Sequence, residues 1–345
     1  MDALSSLTLS SLRKSFRKCM KKHYPLQLEP TPIVSFHAKF DSYHVQYSTN
    51  MFHGSSFRIS YSIFSLSLSS LASSLFRADI PQLAKVNPEF FGVAVCTIDG
   101  QRFSVGDVQV PFCVQSCSKV VTYAIAQSLH GPNKVHQHVG VEPSGRAFNQ
   151  MCLDERNHDA DIYTIRQLKK AGKHVEASKI NARPAIPHNP CINAGAIMCA
   201  SLVLPEAKED VRFDFVMGIW KDLCGYHPKS QTLRSPTFAN STYLSERASA
   251  DRNFCLGYMM REEGAFPNGT NILKTLESYF MYCSIECSVH TLSVVAGTFA
   301  NGGTCPVTGK KVFDNSVVRN CLSVMQTCGM YVHIIHNYTY ICSDI

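Results

Sequence analysis

The chain has 345 residues, 45% of them hydrophobic and 17% charged, with a formal net charge of +7, enough apolar material for a sizeable core in two domains or in one large domain with a tail. The charge is lopsided: residues 1–76 hold eight Lys/Arg and three Asp/Glu, so that of the 33 basic and 26 acidic residues 25 and 23 remain for the rest, a near balance that excludes a basic nucleic-acid-binding stripe on the body of the protein. The 15 cysteines are odd in number, form no Cys-x-x-Cys pair and follow no secretory apolar region, so they read as reduced, buried thiols rather than disulfides or zinc ligands.

Residues 3–28 contain no acid, are rich in Ser and Leu, and carry Arg13, Lys14, Arg17, Lys18, Lys21 and Lys22. The pattern is that of a mitochondrial transit peptide, or equally of an ordinary basic amphipathic helix with a cytoplasmic protein behind it. Ile59 to Phe76 is uncharged and of transmembrane length, but nearly half serine, so it reads as a soluble or disordered segment and not as a span. Residues 1–76 are therefore set apart as an N-terminal segment, and order is expected from about Ile80.

FFGVAVCTIDGQRFSVGD reads as a hairpin: a strand from Phe90 to Thr97, a turn at Asp99-Gly100, and a returning strand to Val105. PFCVQSCSKVVTYAIA then opens a helix on which Ser116 and Lys119 stand one turn apart. A serine hydroxyl is a poor nucleophile until a base takes its proton, and a lysine serves as that base only where burial keeps the amine neutral. The uncharged run from Val120 to Ala126 offers that burial, whereas the same Ser-x-x-Lys spacing at Ser11/Lys14 and Ser15/Lys18 lies among solvated cations. Beyond it, VEPSGRAFNQMCLDE reads as loop, and residues 158–186 as a surface insertion with a helical pattern at Ile162, Ile165 and Leu168 stopped by Gly172. HNPCINAGAIMCASLVL returns to buried helix with Asn193 near its start, and Phe213 to Leu223 is amphipathic. TYLSERASADRNFCLGYMMREEG reads as one capped helix whose apolar face is led by Asn253 and Tyr258. Thr291 to Phe299, a turn at Ala300 to Gly303 and a helix through VVRNCLSVMQTCGMY complete the pattern. Singly, the polar residues here have plain explanations: Asn193 as a helix cap, Glu246 as a surface charge, Tyr279 as a core aromatic.

Six blocks in order, PFCVQSCSK, PHNPCINAGAI, LSERASADRNFCLGY, LESYFMYCSIE, ANGGTCPVTG and SVMQTCGMY, resemble the serine-dependent glutaminases of the β-lactamase-like superfamily. The resemblance implies an α+β fold of the β-lactamase/transpeptidase-like kind, a helical domain set against an antiparallel sheet flanked by helices, over residues 77–331. It implies hydrolysis of L-glutamine to L-glutamate and ammonia through a γ-glutamyl ester, by a homo-oligomer with no metal and no organic cofactor. By motif, Ser116 is the nucleophile, Lys119 its base, and Tyr279 and Tyr331 are phenols that relay protons; Glu246 pairs with the α-ammonium, Asn193 and Asn253 bind the α-carboxylate, and Gln115 lines the same wall.

Three departures accompany the resemblance. Asp79 stands where the family carries a tyrosine before Ile-Pro-Gln-Leu. After CGMY the chain reads VHIIHNYTYICSDI, residues 332–345, in place of the family's strands with a Lys-Ser-Gly-Val motif; this predicts an incomplete sheet with an unpaired edge and the loss of one oxyanion-hole donor, a cost of about 10² to 10³ in rate. The 158–186 insertion adjoins the loop through which phosphate activates the family, which argues against phosphate activation here. The alternative to an active hydrolase is therefore an impaired chain serving as a subunit of family oligomers. A penicillin-like substrate suits the amino-acid clamp poorly.

Overall fold

In a computed structural model the described residues are 33–37, 62–67, 81–87, 89–154, 171–172, 184–228 and 233–328, the first two stretches as backbone only. They fall into two units, one formed by Met1–Cys113, Met217–Ser249 and Ile285–Val312, the other by Val114–Val216, Ala250–Ser284 and Phe313–Ile345.

The first unit carries the sheets. Strands β1 (Ile33–His37), β2 (Ser62–Ser67), β3 (Phe91–Cys96) and β4 (Arg102–Gly106) pair antiparallel in that order. The β3–β4 hairpin is the predicted one: Gly100 takes φ +83°, a conformation that costs glycine nothing, and Thr97 N–H closes the loop on Gln101 O at 2.9 Å. Residues 62–67 form a strand inside the stretch read as soluble or disordered, with Ser62 opposite Cys96 and Ser67 opposite Phe91. As a result β3 has a partner on each side, β2 and β4. Isoleucine and phenylalanine in SIFSLS suit a pleated ribbon, a preference that the serine content masked.

A second sheet of three short strands has the order β5 (Phe112–Cys113), β7 (Ile285–Cys287), β6 (Thr237–Phe238). Helix α8 (Val289–Ala300) lies against β2 and β3, burying Leu292, Val294, Val295 and Phe299, and Cys96, Leu233, Val294 and Cys305 form one apolar cluster. Ser288 caps this helix by accepting from Thr291 N–H at 3.1 Å.

The second unit is helical. A single 3₁₀ turn, Gln115–Cys117, runs into α1 (Ser118–His130), followed by the short α2 (Pro132–Val135). Helix α3 (Asn193–Ser201) is buried at every position and packs against α1, α6 (Asp251–Glu262) and α7 (Ile272–Cys283), as a helix apolar on all sides must. Gly195 makes its approach possible, because a Cβ there would lie 1.9 Å from Asn189 O. Helix α9 (Asn315–Thr327) packs on α1, and α4 (Glu209–Leu223) begins in this unit and ends in the other.

The stretch read as one helix from Thr242 onward is two, α5 (Asn240–Ala248) and α6. The break sits at Ser249 and Ala250, whose backbones leave the helical region, and Ser249 Oγ folds back to donate to Ser245 O at 3.0 Å. Tyr258, expected on the apolar face, is 41% exposed; Leu256, Gly257 and Met260 form the buried side. Among the described residues no helix is long and apolar enough to cross a membrane. The helical pattern at Ile162 to Leu168, Asp79, Tyr331 and the tail 332–345 lie outside the described residues.

Candidate active site

Ser116 occupies the middle of the 3₁₀ turn that leads into α1, and Lys119 the second residue of the helix proper. Gln115, just before the serine, has φ +46°, a left-handed conformation that a side-chain-bearing residue adopts only when its surroundings enforce it. Two bonds hold the turn: Cys117 N–H donates to Val114 O at 2.9 Å, and Ser118 Oγ donates to Gln115 O at 2.7 Å. Helix α7 packs against this turn, and Cys283 Sγ lies 4.0 Å from Ser118 Oγ.

Lys119 is 1% exposed. Its Nζ donates to Ser116 Oγ at 3.0 Å and to Asn193 Oδ1 at 2.7 Å, and stands 5.4 Å from the ring centroid of Phe148. Asn193 Nδ2 in turn donates to Asn253 Oδ1 at 2.9 Å. The orientation of each amide follows from the donor before it: the amine requires a carbonyl oxygen, which turns Asn193 Nδ2 to Asn253, which leaves the Asn253 NH₂ group to donate elsewhere. Four polar side chains, Ser116, Lys119, Asn193 and Asn253, thus form one hydrogen-bonded chain within the helical unit.

Local sequence explains the placement of Asn193. In HNPC, Asn189 Oδ1 accepts from Cys191 N–H at 2.9 Å, turning the chain at Pro190, and Asn193 N–H donates to Phe148 O at 2.8 Å. The residue flanking α3 is Ile192, which makes no side-chain cap, so Asn193 is not a helix cap: its side chain points to Lys119. Phe148 was missed by the sequence reading. It sits in a stretch read as loop, and an aromatic ring over an amine has no spacing that betrays it.

Tyr279 is on α7, 5% exposed, with its ring 5.7 Å from that of Phe280. Glu246 is on α5 in the first unit and 6% exposed, so it is not the surface charge of the plain reading. The thiols flanking the serine do not compete with it. Burial pushes Cys113 up to about 11 and Cys117 up to about 12, the latter against the pull of Lys119, so neither is a thiolate at neutral pH.

The Glutaminase family model matches residues 76–162 and 169–335. The chain belongs to the glutaminase family. It is 41% identical over 254 residues to the rat protein named "Glutaminase liver isoform, mitochondrial", a match covering 74% of this chain and 36% of the relative. It is 42% identical over 253 residues to "Putative glutaminase 2" of Caenorhabditis elegans, covering 73% and 36%, and 36% identical to the glutaminase of Trichormus variabilis, covering 73% and 64%. The chain therefore spans little more than a third of the animal glutaminases it matches. Among solved structures it resembles Mglu in its native form, with TM-score 0.60 at 30% identity over 74% of this chain and 53% of that one, and Mglu in its glutamate form, with TM-score 0.59 at 31% identity over 74% and 50%. The fold is accordingly the β-lactamase-like one of glutaminases. The two matched stretches leave residues 163–168 between them, inside the 158–186 stretch read as an insertion.

Proposed function

We propose that this glutaminase-family chain hydrolyses the side-chain amide of L-glutamine to L-glutamate and ammonia by acyl transfer through Ser116. The observation that carries the reading is the 3.0 Å contact between the hydroxyl and a buried amine. Burial disfavours an ammonium, so Lys119 is suited to receive the Ser116 proton as the oxygen attacks the amide carbon. The C–N bond then breaks, ammonia leaves with a proton from the lysine, and a γ-glutamyl ester remains on Ser116. Water, deprotonated by the same amine, hydrolyses that ester. Tyr279 assists proton movement, and Tyr331 is assigned as a second phenol on the resemblance alone. The chemistry needs neither metal nor organic cofactor.

For substrate binding, the free NH₂ of Asn253 and the second N–H of Asn193 are donors for the α-carboxylate, with Gln115 beside them. The assignment of the α-ammonium to Glu246 rests on the resemblance. Assembly as a homo-oligomer, such as a tetramer, and a mitochondrial address belong to the same proposal; the basic, acid-free residues 3–28 and the mitochondrial name of the rat relative support the address. Comparing the organellar fraction of a fusion with and without residues 1–28 tests it: equal fractions contradict it.

Ammonia release from glutamine by the purified chain tests the activity. The wild type is expected to exceed Ser116→Ala by at least about 10³-fold. Equal rates contradict the reading.

A further inference from the structure

Lys119 stands under two opposing demands. Burial weakens the hold of an amine on a proton, yet a base for Ser116 must capture one from an alcohol. A carboxylate at Nζ would meet the second demand by keeping the proton there for good. Neutral groups meet it more gently, and two of them touch the amine: Asn193 Oδ1 accepts from Nζ at 2.7 Å, and Nζ lies over the Phe148 ring, 5.4 Å from its centroid. One backbone clamp sets both. Phe148 O accepts from Asn193 N–H at 2.8 Å, so the residue that supplies the ring is bonded to the residue that supplies the amide oxygen. The loop carrying Phe148 is tied to the segment leading into α3 at further points: Gly140 N–H donates to Pro187 O at 2.8 Å, Glu142 N–H to His188 O at 3.0 Å, Asn189 Nδ2 to Glu142 O at 2.9 Å, and Asp154 N–H to Ile186 O at 2.7 Å. Phe148 is half-buried in an otherwise largely exposed stretch, so core packing alone explains poorly why its ring faces a buried amine. The thiols of Cys117 and of Cys191, just before α3, feel the charge of the amine, but burial pushes each up to about 12 and both are uncharged at neutral pH. Helix α7, packed against the 3₁₀ turn, carries the phenol of Tyr279 and the thiol of Cys283.

We propose that Phe148 is a positioning residue for the reaction, its ring face sustaining the ammonium that Lys119 becomes when the Ser116 proton reaches Nζ. The inference rests on the reading of Ser116 as the nucleophile. As Ser116 Oγ bonds to the amide carbon its proton passes to Nζ, and positive charge appears where the electron-rich face of the ring already stands. When that proton goes on to the departing ammonia the attraction lapses with the charge. The ring therefore helps the amine to take the proton without fixing it there. Phe148 acts through Lys119 and not on the substrate.

The test replaces Phe148 in the full chain by mono-, di- and trifluorinated phenylalanines, which draw electron density from the ring face with little change of shape. The Lys119 amine is followed by NMR of isotope-labelled lysine ε-carbons, its signal identified by its absence from Lys119→Arg. The titration midpoint is expected to fall stepwise with fluorine content, by about one pH unit in all, and the acid limb of kcat/KM for glutamine to move down with it. Phe148→Tyr keeps an electron-rich face and should titrate like the wild type. Phe148→Leu, apolar but without such a face, should titrate at least as low as the trifluorinated chain. A midpoint constant across the series, a midpoint that rises in Phe148→Leu as water reaches the amine, or a stepwise titration with an unmoved kinetic limb overturns the proposal. A stepwise titration in a chain that releases no ammonia supports the hold of the ring on the ammonium and contradicts the hydrolase reading alone, which keeps the two failures apart.

Discussion

Asn193 does two things with one amide: its oxygen receives the Lys119 amine and its nitrogen reaches Asn253. In the proposed mechanism its removal therefore acts on Lys119, whereas removal of Asn253 acts mainly on the substrate end. Asn193→Ala is expected to lower kcat on the order of 100-fold with a smaller change in KM, and Asn253→Ala to raise KM roughly tenfold with kcat largely kept. Steady-state kinetics on both variants checks the division, and a pure KM effect in Asn193→Ala contradicts it. The residue before Ser116 supports the same picture from the backbone. Gln115 at φ +46° is held in a conformation that costs on the order of 1 kcal/mol, and such strain persists where the surrounding turn fixes it.

At the scale of elements, α3 is the member on which the helical unit depends, being buried at every position. Its closest approach is Gly195 over Asn189 O, at a distance no real Cβ tolerates. Gly195→Ala is expected to cost roughly 3 kcal/mol or more, because backbone and not a flexible side-chain tip must give way. Chemical denaturation measures it; a loss under about 0.5 kcal/mol contradicts the packing described. The sequence made the β3–β4 hairpin legible through alternation and Asp-Gly, and made α1 and α3 legible through unbroken apolar runs. It hid the α5–α6 break, since Ser249 and Ala250 carry no breaker and the competing bond from Ser249 Oγ forms only in place. It hid β2 because serine-rich composition outweighed a strand-compatible pattern. Of the candidate site, Ser116 and Lys119 were readable from their spacing and setting, and Asn193 and Asn253 from the family blocks. The amide chain joining them was not, since it depends on side-chain directions, and Phe148 had no signal at all.

At the scale of the whole molecule, many buried thiols couple stability to alkali. Burial raises Cys96, Cys113 and Cys328 to about 11 and Cys117, Cys191 and Cys224 to about 12. In the unfolded chain thiols ionise at about 8.5. Between about pH 9 and 11 the unfolded state has therefore lost protons that the native state retains, so unfolding stability falls as pH rises. Under reducing conditions, denaturation midpoints at pH 8 and pH 10.5 should show a marked loss at the higher pH; equal midpoints contradict the burial. The same protonated thiols do not compete at neutral pH with the role proposed for Ser116. The most direct test is mass spectrometry of the chain after exposure to a γ-glutamyl electrophile derived from glutamine. The account predicts a single adduct on Ser116, absent from Ser116→Ala and weakened in Lys119→Ala; an adduct on Cys113 or Cys117, or one that persists without the serine hydroxyl, contradicts it.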